Sequence, residues 1–195
     1  VEVVIHHADG SGTAGGEAFG EFDAEFPIRA EGNRMMVVGM GTVDAGRLST
    51  LAELGFNRLS FGIQDFDPAV QKAVHRIQPA EQVFSLMASA RRLGFESINA
   101  DLIYGLPMQT PESFDRTLAQ VVELKPDRIA LYAYAHLPER FKPQRRIITV
   151  ELPNGASKVS MLSRSLSTFI DAGYVYVGMD HFALPDDALA VAKRQ

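Results

Sequence analysis

From residue 42 onward, stretches with apolar residues at helical spacing alternate with short apolar runs. The helical spacing predicts helices over residues 43–54, 80–93, 111–124 and 157–172. The short apolar runs predict strands over residues 58–63, 97–104, 128–134 and 174–178. Strands and helices that follow one another at this interval are typical of parallel βα units.

Glycines mark the junctions between helix and strand. Gly55, Gly94 and Gly173 each follow a predicted helix and precede a predicted strand, where glycine readily ends a helix. The apolar run 35–40 is short enough to form a further strand. We therefore expect an α/β fold of four or five strands with flanking helices, either a partial βα barrel or an open sheet.

In both architectures, ligands bind at the carboxyl ends of the parallel strands. The polar and small residues at or just after the ends of the predicted strands are therefore the first candidates for a site. They are Gln64, Asp65, Asp101, Tyr104, Gly105, Tyr134, Ala135, His136, Asp180 and His181.

Charge and glycine content divide the chain near residue 40. Residues 1–40 hold seven acidic and two basic side chains and seven of the 16 glycines, whereas residues 41–195 hold equal numbers of acidic and basic side chains. We expect an acidic, glycine-rich segment over 1–40 and a βα domain over 41–195. A neutral main body gives no electrostatic reason to expect a nucleic-acid or membrane partner.

Composition narrows the possible chemistry. The chain is 46% hydrophobic and 22% charged, as in a soluble cytoplasmic domain, and we identify neither a signal peptide nor a membrane-spanning run in it. It contains no cysteine, which excludes disulfides, thiolate zinc sites and cysteine-held iron–sulfur clusters within this chain. No G-x-G-x-x-G motif follows a predicted strand, and neither a Walker phosphate-loop motif nor the G-x-S-x-G nucleophile-elbow motif occurs. His75, His136 and His181 are not spaced as metal ligands, so we predict no metal site.

Four motifs are similar to those of one enzyme family. They are RLSFGIQ at 58–64, DLIYGLP at 101–107, YAHLP at 134–138 and GMDHFA at 178–183. Together they resemble the oxygen-independent coproporphyrinogen III oxidases, radical S-adenosylmethionine (SAM) enzymes of haem biosynthesis. The resemblance covers about residues 42–195, and the related haem chaperones share the first two motifs.

This resemblance implies a partial radical-SAM-type (βα) barrel, similar to a TIM barrel, and two SAM molecules per enzyme. In the family, a four-iron four-sulfur cluster held by three cysteines cleaves SAM to a radical. The radical leads to loss of carbon dioxide from two propionates of coproporphyrinogen III, which become the vinyl groups of protoporphyrinogen IX. The resemblance assigns no catalytic residue in this chain. By position it assigns SAM contacts to Gln64, Arg76, Asp101 and Ala135.

The residue types suit those contacts. Gln64 and Asp101 can hydrogen-bond ribose hydroxyls or an amino group, and Arg76 can pair with a carboxylate. Ala135 can offer backbone groups to adenine. Without the resemblance, the three polar residues have structural alternatives. Gln64 would be a loop residue, Asp101 would form a salt bridge with Arg58 or Arg76, and Arg76 would be a solvated helix residue.

The chain also departs from the family pattern. The C-x-x-x-C-x-x-C motif and the Gly-Gly-Thr-Pro stretch do not occur, and Val37, Gly39 and Met40 stand where the family has an acidic SAM ligand and its neighbours. Residues 1–40 show no resemblance to the family. We therefore expect this chain by itself to be inactive, and hypothesise that residues 1–40 come from a frameshift, a wrong start or a fusion. The alternative is a non-catalytic remnant or a chaperone-like module that binds SAM or a porphyrin.

One loop carries a concentrated positive charge. Arg140, Lys142, Arg145 and Arg146 lie within seven residues. Such a run is either a solvated loop or a docking site for the propionates of the substrate.

Overall fold

The computed structural model describes residues 35–38 and 43–195, and these form a six-stranded mixed sheet with the strand order β1-β2-β3-β4-β6-β5. Strands β1 to β4 pair in parallel, each with its neighbour in sequence. The predicted parallel βα units are therefore confirmed. The strands β1 to β6 span Met35–Val38, Arg58–Gln64, Ser97–Tyr104, Arg128–Ala133, Val175–Gly178 and His181–Ala183.

The sheet departs from the predicted pattern at its last strands. β5 was expected to follow β4 as a further βα strand, but β6 lies between them and pairs antiparallel with both. Gly178, Met179 and Asp180 all have positive φ angles of 115°, 48° and 61°, so the chain reverses tightly after β5. A three-residue strand such as β6 is too short to give a periodic signal.

Six α-helices flank the described strands, and four of them were predicted. α4 begins at the predicted residue Pro111 because Thr110 caps it, accepting a hydrogen bond from the Ser113 N–H at 3.1 Å. α5 begins two residues before its predicted start because Asn154 caps it, accepting from the Ser157 N–H at 2.9 Å. The helices α1 to α6 span Ala45–Glu53, Pro68–Ala73, Ala80–Arg92, Pro111–Leu124, Gly155–Asp171 and Ala188–Lys193.

The two faces of the central sheet differ in chemistry. One face packs against helices, and its side chains belong to the buried core: Leu59, Phe61, Ile63, Ile98, Ala100, Leu102, Ile129 and Leu131. Because side chains alternate along a strand, the other face carries Ser60, Gly62, Gln64, Asn99, Asp101, Ala130 and Tyr132. We call this second set the polar face. It corresponds to the inner face of a βα barrel.

The strand register aligns the middle of this polar face. Gly62 of β2 lies beside Asp101 of β3, Asp101 beside Ala130 of β4, and Ala130 beside His181 of β6. A row of four neighbouring positions thus crosses the sheet near the carboxyl ends of the parallel strands. No helix within the described ranges is long and apolar enough to cross a membrane.

Candidate functional site

Asp101 occupies the middle of the polar face, and both of its carboxylate oxygens accept hydrogen bonds. The Ser60 hydroxyl donates to Oδ2 at 2.7 Å, and the Asn99 amide donates to Oδ1 at 2.8 Å. The same Asn99 amide nitrogen also donates to Ser60 Oγ at 2.8 Å. These neutral donors fix the direction of the carboxylate without neutralising its charge.

The surroundings of Asp101 act on its pKa in opposite directions. Burial raises the pKa of this carboxyl, whereas the hydrogen bonds from Ser60 and Asn99 and the charges of His181 and Arg76 lower it, and the balance is a raised pKa. Between residues 43 and 195, the ion pairs do not include Asp101. The geometry therefore gives no support to a structural salt bridge with Arg58 or Arg76.

Arg76 follows α2 and lies half-buried against β2 rather than in solvent. Its Nη2 donates to the carbonyl oxygen of Gly62 at 2.9 Å. Burial lowers the pKa of Arg76, and the charge of Asp101 acts against that shift. The alternative of a solvated helix residue is wrong, because this guanidinium is held beside the polar face.

Gly62 creates the space in which two of the candidate side chains meet. A Cβ atom at this position would lie 2.9 Å from Arg76 Nη2 and 2.9 Å from Gln64 Nε2. Both distances are too short for a methyl group without movement of the polar side chains. A glycine in β2 therefore allows Arg76 and Gln64 to approach the row that contains Asp101.

Gln64, the last residue of β2, is unusual in its backbone conformation and in the hydrogen bonding of its side chain. Its backbone has a φ angle of 66°, which is uncommon for a residue other than glycine and is often found at functional sites. Its side-chain oxygen is buried and has no hydrogen-bond partner among the described residues, and the same is true of the Asn99 side-chain oxygen. Buried oxygens without partners are rare, so each calls for a donor from a bound group or from water.

Ala135 lies on the same edge of the sheet, two residues after the end of β4. It is exposed, and its carbonyl oxygen accepts a hydrogen bond from the Gln144 amide at 2.9 Å. The backbone just before it is tied to β3, because the Tyr134 N–H donates to the Tyr104 carbonyl at 2.8 Å. The structure thus brings Gln64, Arg76 and Asp101 together around Gly62, with Ala135 farther along the edge.

Asp65, the other polar residue after β2, has a structural position. It is buried, and it accepts hydrogen bonds from the Thr117 hydroxyl at 2.6 Å, from the Asp67 N–H at 2.7 Å and from the Gln109 amide. Burial raises its pKa, and these three donors lower it. The Gln109 oxygen also accepts from the backbone N–H of Gly105 at 2.6 Å, so the pair joins the loops that follow β2 and β3.

The histidines near this edge contact aromatic side chains rather than one another. His181 Nδ1 lies 2.5 Å from the Met179 carbonyl oxygen, and its ring meets Tyr132 edge-on. His136 Nδ1 lies 3.2 Å from the Tyr134 hydroxyl. Across the described residues, no three histidine, cysteine, aspartate or glutamate side chains are grouped so that they could hold a metal ion.

Sequence reasoning did not single out Ser60, Asn99 or Gly62, although the structure places all three at the site. Polar residues at alternate positions, Ser60 to Gln64 in β2 and Asn99 to Asp101 in β3, were the available signal. In strands whose other positions are apolar, such alternation indicates one polar face. Together with the expected parallel pairing, it would have placed Ser60 and Asn99 near Asp101.

Comparison with known proteins identifies the class of this chain. The family model of the radical SAM superfamily matches residues 11–121, which is more than half of the chain. The chain belongs to the radical SAM superfamily. The match begins at residue 11 and so includes part of the segment 1–40 in which the sequence showed no resemblance to the family.

Individual relatives are more specific. The chain is 55% identical over 150 residues to an oxygen-independent coproporphyrinogen III oxidase from Pseudomonas aeruginosa, covering 77% of this chain and 33% of the relative. It is 52% identical over 148 residues to the protein of that name from Salmonella typhimurium, covering 76% and 32%. The resemblance to this family is confirmed, and the chain spans about a third of the length of these relatives.

Solved structures agree with this result. The coproporphyrinogen III oxidase of Escherichia coli, described as a radical SAM enzyme, superposes with a TM-score of 0.83 at 47% identity, covering 85% of this chain and 38% of that one. An archaeal Elp3 from Methanocaldococcus infernus superposes with a TM-score of 0.59 at 14% identity, which supports the fold only. The expected partial radical-SAM barrel is thereby confirmed.

The superfamily implies two cofactors, and the chain suits them differently. SAM carries hydroxyls, an ammonium and a carboxylate, and these match the partnerless Gln64 oxygen, the oriented Asp101 carboxylate and the Arg76 guanidinium. An iron–sulfur cluster needs thiolate ligands, and the 195 residues include no cysteine. The residues present fit SAM and do not fit the cluster.

Proposed function

We propose that the carboxyl edge of the parallel strands binds SAM through Gln64, Arg76, Asp101 and Ala135. The observation that carries this proposal is the Asp101 carboxylate, which is partly buried and oriented by two neutral donors but not neutralised by an ion pair. A protein keeps such a group at a cost in desolvation, and functional sites are where that cost is most often found.

Each residue has a role in this proposal. Asp101 and Gln64 accept hydrogen bonds from the ribose hydroxyls or from the ammonium of SAM, and Arg76 pairs with its carboxylate. Ala135 offers backbone groups to the adenine ring. The partial burial of Gln64, Arg76 and Asp101 strengthens their contacts, because water competes less for them.

For the protein that contains this domain, we propose the activity named for its relatives, oxidation of coproporphyrinogen III. As the resemblance implies, two propionates lose carbon dioxide and become vinyl groups, with two SAM molecules per enzyme. A four-iron four-sulfur cluster would supply the electron that makes SAM a source of radicals, and the cysteines that would hold it are not among these 195 residues. A cytoplasmic location, expected from the composition, belongs to the same proposal.

This chain by itself has a second candidate function, a non-catalytic module that binds SAM or a porphyrin. The specific observation in its favour is the absence of cysteine from the 195 residues. Anaerobic reconstitution followed by iron and sulfide analysis separates the two candidates. We expect no stoichiometric iron and no cluster absorbance at ~400 nm. Stoichiometric iron and sulfide would contradict the second candidate.

Calorimetric titration with SAM tests the proposed site. Several family elements are missing from this chain, each contributing on the order of 1–3 kcal/mol, so we expect weak binding, with a dissociation constant of about 1 mM. Asp101→Ala and Arg76→Ala should each abolish it. Asp186→Ala and Arg92→Ala, at exposed positions after β6 and at the end of α3, are the matched controls. Tight binding that survives both site substitutions would show that the assignment is wrong.

A further inference from the structure

The segment that follows β4 places four cations on the edge of the proposed SAM site. Arg140, Lys142, Arg145 and Arg146 are all exposed. Of the ion pairs formed between residues 43 and 195, none includes any of the four. Four cations without acidic partners in seven residues form a local positive potential. We call residues 137–148 the basic loop.

The basic loop is held in a defined conformation rather than left to solvent. Gln144 accepts a hydrogen bond from the Leu137 N–H at 2.6 Å and donates to the Ala135 carbonyl at 2.9 Å. Arg145 Nε donates to the Pro138 carbonyl at 3.0 Å, and Lys142–Arg146 forms a 3₁₀ helix. These bonds connect the loop directly to Ala135, and they lower the entropy cost of presenting its cations to a ligand.

Large apolar side chains are exposed beside these cations. Phe141 is 54% exposed and Ile148 is 56% exposed, and Val150 just beyond the loop is 90% exposed. Exposed apolar groups that are interleaved with cations suit a ligand with an apolar body and anionic substituents. A simple solvated loop has no need of them.

We propose that the basic loop binds the propionate groups of a tetrapyrrole, whose ring lies against Phe141 and Ile148. This inference rests on the proposed function, because the name of the relatives supplies the tetrapyrrole, which carries four propionates around an apolar macrocycle. Arg140 and Arg146 bind propionates through planar guanidinium groups that can donate two parallel hydrogen bonds to one carboxylate. Gln144 then sets the distance between this substrate and the SAM site through Ala135.

Binding of coproporphyrin III, the stable oxidised form of the macrocycle, tests the proposal in the 195-residue chain. Its fluorescence is titrated in parallel with that of its tetramethyl ester, which keeps the ring and has no charge. We expect the acid to bind about tenfold more tightly than the ester, and added salt to reduce that difference. Equal affinities for acid and ester, or no binding of the acid, would overturn the proposal.

Matched variants locate the site. Arg140→Gln with Arg146→Gln should raise the dissociation constant of the acid about threefold to tenfold. Arg92→Gln with Arg194→Gln removes the same charge at exposed positions at the end of α3 and just after α6, and it should leave the dissociation constant unchanged. An equal loss of affinity for coproporphyrin III in both double variants would overturn the proposal, since it would indicate a general effect of net charge.

A SAM titration on the same variants separates this inference from the proposed function. Loss of coproporphyrin affinity in the loop variant with unchanged SAM binding supports both. A chain that binds the porphyrin through the loop and does not bind SAM refutes only the assignment of the SAM site. A chain that binds SAM, with porphyrin affinity independent of the loop, refutes only the inference about the loop.

Discussion

The Ser60 hydroxyl of β2 donates a 2.7 Å hydrogen bond to the Asp101 carboxylate of β3, across 41 positions of sequence. Because this bond lowers the pKa of Asp101 against the effect of burial, Ser60→Ala should raise that pKa further. We expect SAM to bind about tenfold more weakly to this variant, since hydrogen bonds to charged groups are the stronger ones.

Carbon-13 NMR titration of the Asp101 carboxyl measures the pKa directly and without SAM. Ser165→Ala is the matched control, because Ser165 is also buried but donates to the Met161 carbonyl within α5. If Ser60→Ala and Ser165→Ala leave the same pKa at Asp101, the hydrogen bond does not control the carboxylate.

Asp101→Asn should stabilise the chain at neutral pH. The pKa of Asp101 is raised in the folded state, chiefly by burial, so the folded state binds more protons than the unfolded state between the two pKa values. Stability therefore falls as pH rises from about 4, the usual range for the carboxyl, through the raised value. The Asp101→Asn variant does not lose stability in this pH range. The difference in free energy of unfolding between the variant and the unchanged chain should therefore increase with pH and then level off.

Urea unfolding of Asp101→Asn at a series of pH values checks this expectation. Asp186→Asn is the control, because Asp186 is exposed on the opposite edge of the sheet. An advantage for Asp101→Asn that is largest at low pH would contradict the sign of the shift.

Gly62→Ala should damage the site while sparing the fold. The added Cβ would meet the ends of two flexible side chains, Arg76 and Gln64, at 2.9 Å, and these can move at little cost. We expect a change in the free energy of unfolding within about 1 kcal/mol and a loss of SAM affinity of about tenfold. Gly155→Ala is the matched control, since a Cβ there meets no atom within 4 Å. Unchanged SAM affinity in Gly62→Ala would show that Arg76 and Gln64 do not contact the ligand.

Gln109→Ala should destabilise the chain by about 3 kcal/mol or more. It removes a donor to the buried Asp65 carboxylate and the acceptor of the Gly105 and Leu106 N–H groups, and unsatisfied buried groups are costly. Denaturant unfolding measures the loss, and the exposed Gln82→Ala in α3 should change stability by less than about 0.5 kcal/mol. Equal effects of the two substitutions would mean that the link between the two loops is not structural.

Much of the fold followed from local signals in the sequence. The apolar pattern correctly placed the strand at Met35–Val38, the parallel strands β2 to β4 and helix α4. The hairpin of β5 and β6 was missed because its turn depends on positive φ angles at Met179 and Asp180. Positive φ angles at residues other than glycine are uncommon, so they are difficult to predict from a sequence. The acidic segment 1–40 as a separate unit stays a prediction.

The site was less accessible to sequence reasoning than the fold. Gln64 and Asp101 could be selected because polar residues at the ends of parallel strands are candidates in any βα fold. The donors to Asp101 come partly from another strand, so they depend on a register that a single sequence does not give. The same holds for Gln144, whose contact with Ala135 spans nine positions within a segment without apolar periodicity.

The most direct test of the central claim is protein NMR of the nitrogen-15-labelled chain during titration with SAM. We predict that the side-chain signals of Gln64 and Arg76 and the backbone signal of Gly62 shift together, while those of Gln82 and Arg92 stay unchanged. In Asp101→Asn the same shifts should need a much higher concentration of SAM. Shifts confined to other parts of the chain, or shifts at Gln64 and Arg76 that do not depend on Asp101, would contradict the assignment of this edge as the SAM site.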